Sequence, residues 1–253
     1  DCSGGAGIQA DLKTFSAHKL FGMSVIVSVV AENTARVISC FDISAQSVDE
    51  QMLAVFEDIV PKATKIGMLP SKELMACIAQ NLRRFKPENV VIDPVMFAKN
   101  GYALMPPQNC EFFAQTMLEF ADILTPNIPE AEFLCGFEIK DENAMIKAAK
   151  TLCQKGAKAV LLKGGHRKDN ANDIFFDGQE IHLLEGKRID TKNTHGTGCT
   201  LSSAIASNLA LGKDKLSAVK AAKEYVFGAI LHSLSLGKGC GPTNHFYKFL
   251  END

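Results

Sequence analysis

Short β-branched runs alternate with helical stretches along most of this chain, and that alternation restricts the fold more than any other feature. The runs at 23–31, 89–93, 121–125 and 158–163 are apolar almost without polar interruption. A strand with one wet face alternates in polarity, whereas a continuous apolar run fits a strand buried on both faces of a parallel sheet. Between the runs lie helical patterns with recognisable ends. Ser47-Val48-Asp49-Glu50 reads as a capping box ahead of Met52, Leu53, Val55, Phe56 and Ile59. Asp141 is placed to cap a helix over 142–155 that Gly156 stops, and another helix is predicted from 215 to about 234. Residues 173–184 differ: two short apolar runs flank Asp177-Gly178, which spells a β-hairpin. The pattern predicts a doubly wound α/β fold with a mostly parallel central sheet, flanking helices and a late edge hairpin.

Nothing divides the 253 residues: no internal repeat, low-complexity tract or Pro/Ser-rich linker occurs, so one domain over 1–253 is expected. Net charge is −2 with both signs scattered, which argues against a nucleic-acid surface and leaves local sites for small anions open. The eight cysteines are spread evenly with no C-x-x-C pair, a pattern of small buried thiols in a reducing, cytoplasmic compartment rather than of zinc or disulfides. The longest apolar stretch, 23–31, is too short to cross a bilayer, so no membrane association is expected. Asp1 opens directly into a glycine-rich segment where such a sheet would place a strand, so a first strand is expected to precede it.

Open α/β sheets bind ligands beyond the carboxyl ends of their strands, and several unusual segments fall where such ends are predicted. Asn193-Thr194-His195-Gly196-Thr197-Gly198-Cys199-Thr200 precedes a helical run over 201–211. Two glycines let backbone N–H groups converge there, and the helix dipole adds partial positive charge, a combination that cradles an anion. A glycine turn that merely starts a helix has the same spelling. Neither a Walker A loop nor a dinucleotide fingerprint is present. Asp93 ends the run at 89–93 ahead of Pro94, placed either to hold Mg²⁺ through water or to cap a turn. Asn127 and Glu130, three apart at a helix start, can face one site. Lys163, before Gly164-Gly165-His166, can meet a phosphate or stand exposed at a strand end. Ser3-Gly4-Gly5-Ala6-Gly7 precedes a helix carrying Asp11 and Lys13 and allows a flat ligand close to the backbone.

Taken in order, these segments resemble the hydroxymethylpyrimidine/phosphomethylpyrimidine kinases of thiamin biosynthesis, within the ribokinase-like superfamily. The resemblance rests on S-G-G-A-G-I-Q-A-D-L-K-T-F at 3–15, K-I-G-M-L at 65–69 and V-I-D-P-V-M at 91–96. It continues through T-P-N-I-P-E-A-E at 125–132, K-G-G-H at 163–166, N-T-H-G-T-G-C-T at 193–200 and G-x-G-C-G-P-T-N-H at 237–245. It implies two successive ATP-dependent phosphorylations, of a hydroxymethyl group and then of its monophosphate, by a magnesium-dependent homodimer. By the same resemblance Gly196, Thr197, Gly198 and Cys199 form the anion hole, and Asp93 and Glu130 lie near Mg²⁺. Lys163, Asn127 and Thr197 then face ATP, while Gly5, Asp11, Glu32, Met68, Val95 and Cys199 surround the pyrimidine.

Two positions carry their own chemistry. Cys199 stands where ribokinase-type sugar kinases carry an aspartate base. A thiol at a helix N-terminus can have its pKa lowered and act as a base, and when neutral it does not repel a phosphorylated substrate. Glu32 stands where the family most often has glutamine; an ionised carboxylate only accepts hydrogen bonds, whereas an amide also donates. That difference bears on the substrate more than on the reaction. The competing expectations are pyridoxal or pyridoxine kinase activity, a non-catalytic ligand-binding protein on the same fold, and a cysteine-nucleophile hydrolase, which would need a positioned base that the nearness of His195 in sequence does not by itself supply.

Overall fold

The computed structural model describes residues 1–98, 101–165 and 171–249. Along the chain run α1 (Gly7–Ala17), β1 (Ser28–Glu32), β2 (Val37–Asp42), α2 (Ala45–Phe56), β3 (Thr64–Ile66), α3 (Lys72–Phe85) and β4 (Val90–Ile92). They are followed by α4 (Cys110–Met117), β5 (Ile123–Leu124), α5 (Ile128–Cys135), α6 (Glu142–Gln154) and β6 (Val160–Leu162). The chain continues with β7 (Asp173–Phe176), β8 (Ile181–Leu184), α7 (Thr197–Ala210) and α8 (Lys215–Leu231). These elements gather into two compact units, one from 1–61, 97–102 and 189–253, the other from 62–96 and 103–188.

The second unit is built on a mixed sheet whose six strands follow one another in chain order, β3 to β8. Strands β3 to β6 are parallel, and β7 and β8 run antiparallel at the edge. Every side chain of β4, β5 and β6 is buried, as their unbroken apolar spelling requires. Each large aliphatic side chain so buried contributes about 1.5–3 kcal/mol. Helix α3 turns Leu74, Met75, Ile78 and Leu82 inward, begins on the Ser71 hydroxyl and ends with Lys86 in the left-handed region. Helix α6 starts on Asp141, as expected, and packs on β6 and β7. The hairpin turn forms because Asp177 Oδ1 accepts both the Gln179 and Glu180 N–H groups.

In the first unit α1 packs on α7 and α7 on α8. Helix α7 is buried all round from Thr200 to Leu209, so its polar side chains turn to internal partners: Ser203 donates to Asp11 of α1, and Ser207 and Asn208 bond back to their own helix. β1 and β2 form a separate antiparallel pair.

Three expectations need correcting. The run at 23–31 is not a doubly buried strand: only its end enters β1, and Val29 is exposed on the two-stranded ribbon. Continuous apolar spelling there reflects an apolar outer face rather than a second covering layer. The cap of α2 is Ser44, whose hydroxyl accepts from the Ser47 N–H, so Ser47 lies inside the helix rather than at its start. Helix α8 stops at Leu231 rather than 234.

Candidate functional site

In the second unit the strand ends bring the expected charged residues into one buried group. Asp93 follows β4, Asn127 follows β5 and Lys163 follows β6, where Lys163 forms a parallel bridge with Asn127. Asp93 Oδ1 accepts from Lys163 Nζ at 2.9 Å and from Thr125 Oγ1 at 3.1 Å. The side chains of Lys163 and Asp93 are only 17% and 4% exposed, so this is an interior ion pair. The residue expected at a metal and the one expected at a phosphate are thus paired with each other. Met68 and Val95, expected at the pyrimidine, lie half-buried just beyond the ends of β3 and β4.

Asn127 and Glu130 do meet, but as partners of each other. Asn127 Oδ1 accepts the Glu130 N–H at 2.9 Å, and Glu130 Oε2 accepts the Asn127 N–H at 2.7 Å. This capping box closes the N-terminus of α5. Burial pushes the Glu130 carboxyl up to about 7, against the opposing pull of the Lys163 ammonium and helped by the nearby Asp93 charge. Asp173, at the start of β7, accepts the Gly164 N–H at 2.7 Å and so shapes the backbone after Lys163. His166, the last letter of the K-G-G-H motif, lies outside the described residues.

In the first unit the G-T-G-C segment opens α7. Gly196 is the N-cap, with φ of 79°, so no side chain closes this helix start. Thr197, Gly198 and Cys199 form the first turn, Cys199 being half-buried. Gly196 has no alternative, because a Cβ there would run into the Gly5 carbonyl. Thr200 Oγ1 reaches His245 Nε2 at 3.1 Å, and burial lowers the His245 imidazole to about 4.

His195, immediately before Gly196, lines a cavity of about 260 Å³ together with Glu32, Asn33, Thr34, Ala35, Arg36, Gly239 and Cys240. Its Nε2 lies 2.9 Å from Asp1 Oδ2. Among the described residues no hydrogen bond or ion pair reaches the Glu32 carboxylate, although the Glu32 carbonyl accepts from Cys2. Asp1, Glu32 and His195 each place one polar atom within 4.8 Å of the others. Asp11, expected at the substrate, faces Ser203 between α1 and α7.

Sequence reasoning passed over Thr125, Asp173 and Asp1. An aspartate two residues ahead of Ser3-Gly4-Gly5 is an Asx-turn signal that could have drawn attention to Asp1.

The first unit thus holds an open helix N-terminus with a small cavity beside it, and the second holds a buried acid–base group at its sheet ends. A family model described as phosphomethylpyrimidine kinase matches residues 1–244. The chain belongs to that family. It is a phosphotransferase of the kinase type, and the matched range runs through both units. A hydroxymethylpyrimidine/phosphomethylpyrimidine kinase of Rhizobium meliloti strain 1021 is 47% identical over 253 residues, covering 98% of this chain and 95% of that protein. The crystal structure of a phosphomethylpyrimidine kinase from Clostridium difficile 630 superposes with a TM-score of 0.82 at 43% identity, covering 91% of this chain and 95% of that one. An ADP complex of a Bacillus subtilis pyridoxal kinase superposes with a TM-score of 0.90 at 36% identity, covering 99% and 96%. The ribokinase-like fold expected from the sequence is the fold of this kinase.

Proposed function

We propose that this kinase uses ATP to phosphorylate 4-amino-5-hydroxymethyl-2-methylpyrimidine, its monophosphate, or both in turn, for thiamin biosynthesis. The observation that carries the reading is the N-terminus of α7, left without a side-chain cap at Gly196 and continuous in sequence with the cavity residue His195. In this reading the open first turn of α7 faces the transferred phosphoryl group, where charge must be neutralised and atoms aligned. The cavity suits one small ring, and the carboxylate of Glu32 offers an acceptor to an exocyclic amine.

In this reading Cys199, in that first turn, serves as the base for the hydroxymethyl group. A phosphate monoester arrives largely ionised, its second pKa lying near ~6, and needs no such base. Lys163 supplies the cation for the ATP phosphates once it leaves Asp93. Two buried carboxylates form an oxygen donor set that fits magnesium, but Lys163 and the helix cap already occupy an oxygen of each. Asp93 and Glu130 would therefore hold the ion through water, and the ion would neutralise phosphate charge. Exposed Val29, Ile38 and Phe41 on the β1–β2 ribbon support a homodimer, and the evenly spread cysteines support a cytoplasmic location. No helix among the described residues is long and apolar enough to cross a membrane.

The second reading is pyridoxal kinase activity, favoured by the superposition on the pyridoxal kinase. A coupled assay of ADP release with the hydroxymethylpyrimidine, its monophosphate and pyridoxal separates the two. The proposal expects kcat/KM for at least one pyrimidine to exceed that for pyridoxal. The reverse order would transfer the protein to vitamin B6 chemistry.

A further inference from the structure

Three separate stretches of the first unit meet at one buried side-chain pair. Asp1 Oδ1 accepts the Ser3 N–H at 2.7 Å, while Oδ2 accepts the Ala6 N–H at 2.8 Å and faces His195 Nε2 at 2.9 Å. The side chains of Asp1 and His195 are 3% and 10% exposed, so solvent screens the contact little. One carboxylate thus folds the Ser3–Ala6 loop around itself and fastens that loop to the residue preceding the anion cradle.

The main chain of His195 is held as firmly. Its N–H donates to the Gly241 carbonyl at 3.0 Å, its carbonyl accepts from Thr243 N–H at 3.4 Å, and it bridges in parallel with Pro242. The fit around the ring leaves no slack: a Cβ on Gly5 would overlap His195 Cδ2 and come within 3.3 Å of the Pro242 Cβ. Gly196 in turn abuts the Gly5 carbonyl. The start of α7 therefore cannot shift relative to the Ser3–Ala6 loop without breaking the Asp1–His195 contact or overlapping backbone atoms.

We infer that Asp1 and His195 are positioning residues, a clamp that fixes the first-turn N–H groups of Gly198 and Cys199 relative to the glycine loop at Gly5. Asp1 acts through His195 and the loop; neither residue is required to exchange a proton with substrate. The inference rests on the phosphoryl-transfer reading only for its kinetic consequence. A misplacement of about 1 Å in a catalytic frame costs on the order of 10²-fold in rate, whereas substrate affinity tolerates it.

The test uses His195→Ala, His195→Gln and Asp1→Asn in the full chain. A glutamine amide can present an N–H donor near the position of His195 Nε2, so it restores the clamp without an imidazole. Asparagine at residue 1 has a single acceptor oxygen and cannot hold Ser3 on one side and Ala6 with His195 on the other. His195→Ala is expected to lower kcat about 100-fold with KM for ATP and pyrimidine within about threefold, and His195→Gln to regain at least about tenfold. Asp1→Asn is expected to fall between them. Amide hydrogen exchange at Ser3, Ala6 and Gly196–Thr200 should accelerate in His195→Ala and Asp1→Asn and slow again in His195→Gln. A loss expressed in KM alone, a glutamine variant that folds yet matches alanine, or unchanged exchange in Asp1→Asn overturns the clamp. If His195→Ala does not fold, Asp1→Asn carries the test. If the native protein phosphorylates neither pyrimidine, the functional reading fails and the exchange measurements alone decide the clamp.

Discussion

Helices α5 and α7 both begin beside residues expected to handle phosphate, yet their N-termini are finished in opposite ways. The start of α5 is closed by its own side chains, Asn127 and Glu130 each accepting the other's backbone N–H. The start of α7 has glycine at the N-cap and no side chain over it. Four N–H groups at any helix start need acceptors. Where the sequence supplies them, as at α5, the helix end is structural. At α7 the Thr197 N–H turns back to the Thr194 carbonyl and no side chain caps the turn, which leaves the helix start open to an anion. The charged groups divide likewise: the closed end adjoins the buried Asp93–Lys163 pair, while the open end relies on backbone dipoles.

The largest effect should come from filling the open end. Gly198→Val puts a branched side chain in the first turn of α7, and kcat should fall about 10³-fold, the scale of a lost oxyanion donor, with the protein still folded. Near-native turnover would erase the contrast. Next is Lys163→Met, which leaves Asp93 buried without its cation and should cost about 3–5 kcal/mol of stability in denaturant unfolding. A loss below about 1 kcal/mol would mean the pair is already solvated in solution. Opening the closed end by Asn127→Ala removes one cap and should cost about 1 kcal/mol, again by denaturant unfolding.

The smallest effect is in pH dependence, and the two units pull in opposite directions. Glu130, raised to about 7, keeps its proton in the folded state after the unfolded chain has released it. Its contribution therefore falls as pH rises from about 4.5 to about 7. His245, lowered to about 4, stays neutral when the unfolded chain takes up a proton, so its contribution falls as pH drops from about 6.5 to about 4. In Tm profiles Glu130→Gln should flatten the first slope and His245→Gln the second. Unaltered profiles would show that neither group titrates as its burial requires.

Strands β4, β5 and β6 were legible because their burial on both faces leaves an unbroken apolar record, and the hairpin because Asp177-Gly178 spells its turn. Strand β3 was missed: Thr64-Lys65-Ile66 is three residues long with a lysine at its centre. The run at 23–31 misled because an exposed apolar face and a buried one are written in the same letters. At the site, glycines and strand-end charges announced themselves, but their pairings did not. That Lys163 turns to Asp93 depends on where two strands end in space, whereas the capping box of Asn127 and Glu130 is local and has an N-x-x-E spelling that could have been read. The contact between Asp1 and His195 spans 194 positions and has no local signature at all.

The antiparallel hairpin has a consequence for how the chain can be lengthened. Parallel strands deliver their last residues to the ligand-facing edge, whereas β7, running the other way, delivers its first, Asp173. The bond from Gly164 N–H to Asp173 therefore ties the two ends of the intervening connector together at its base. Strand register is then set by that tie and by the ladder between β6 and β7, not by the connector's length. Doubling the connector adds only about 0.6 kcal/mol of closure entropy. Lys163 thus keeps its place at the sheet edge through the contact between Gly164 and Asp173 rather than through the path of the chain that joins them.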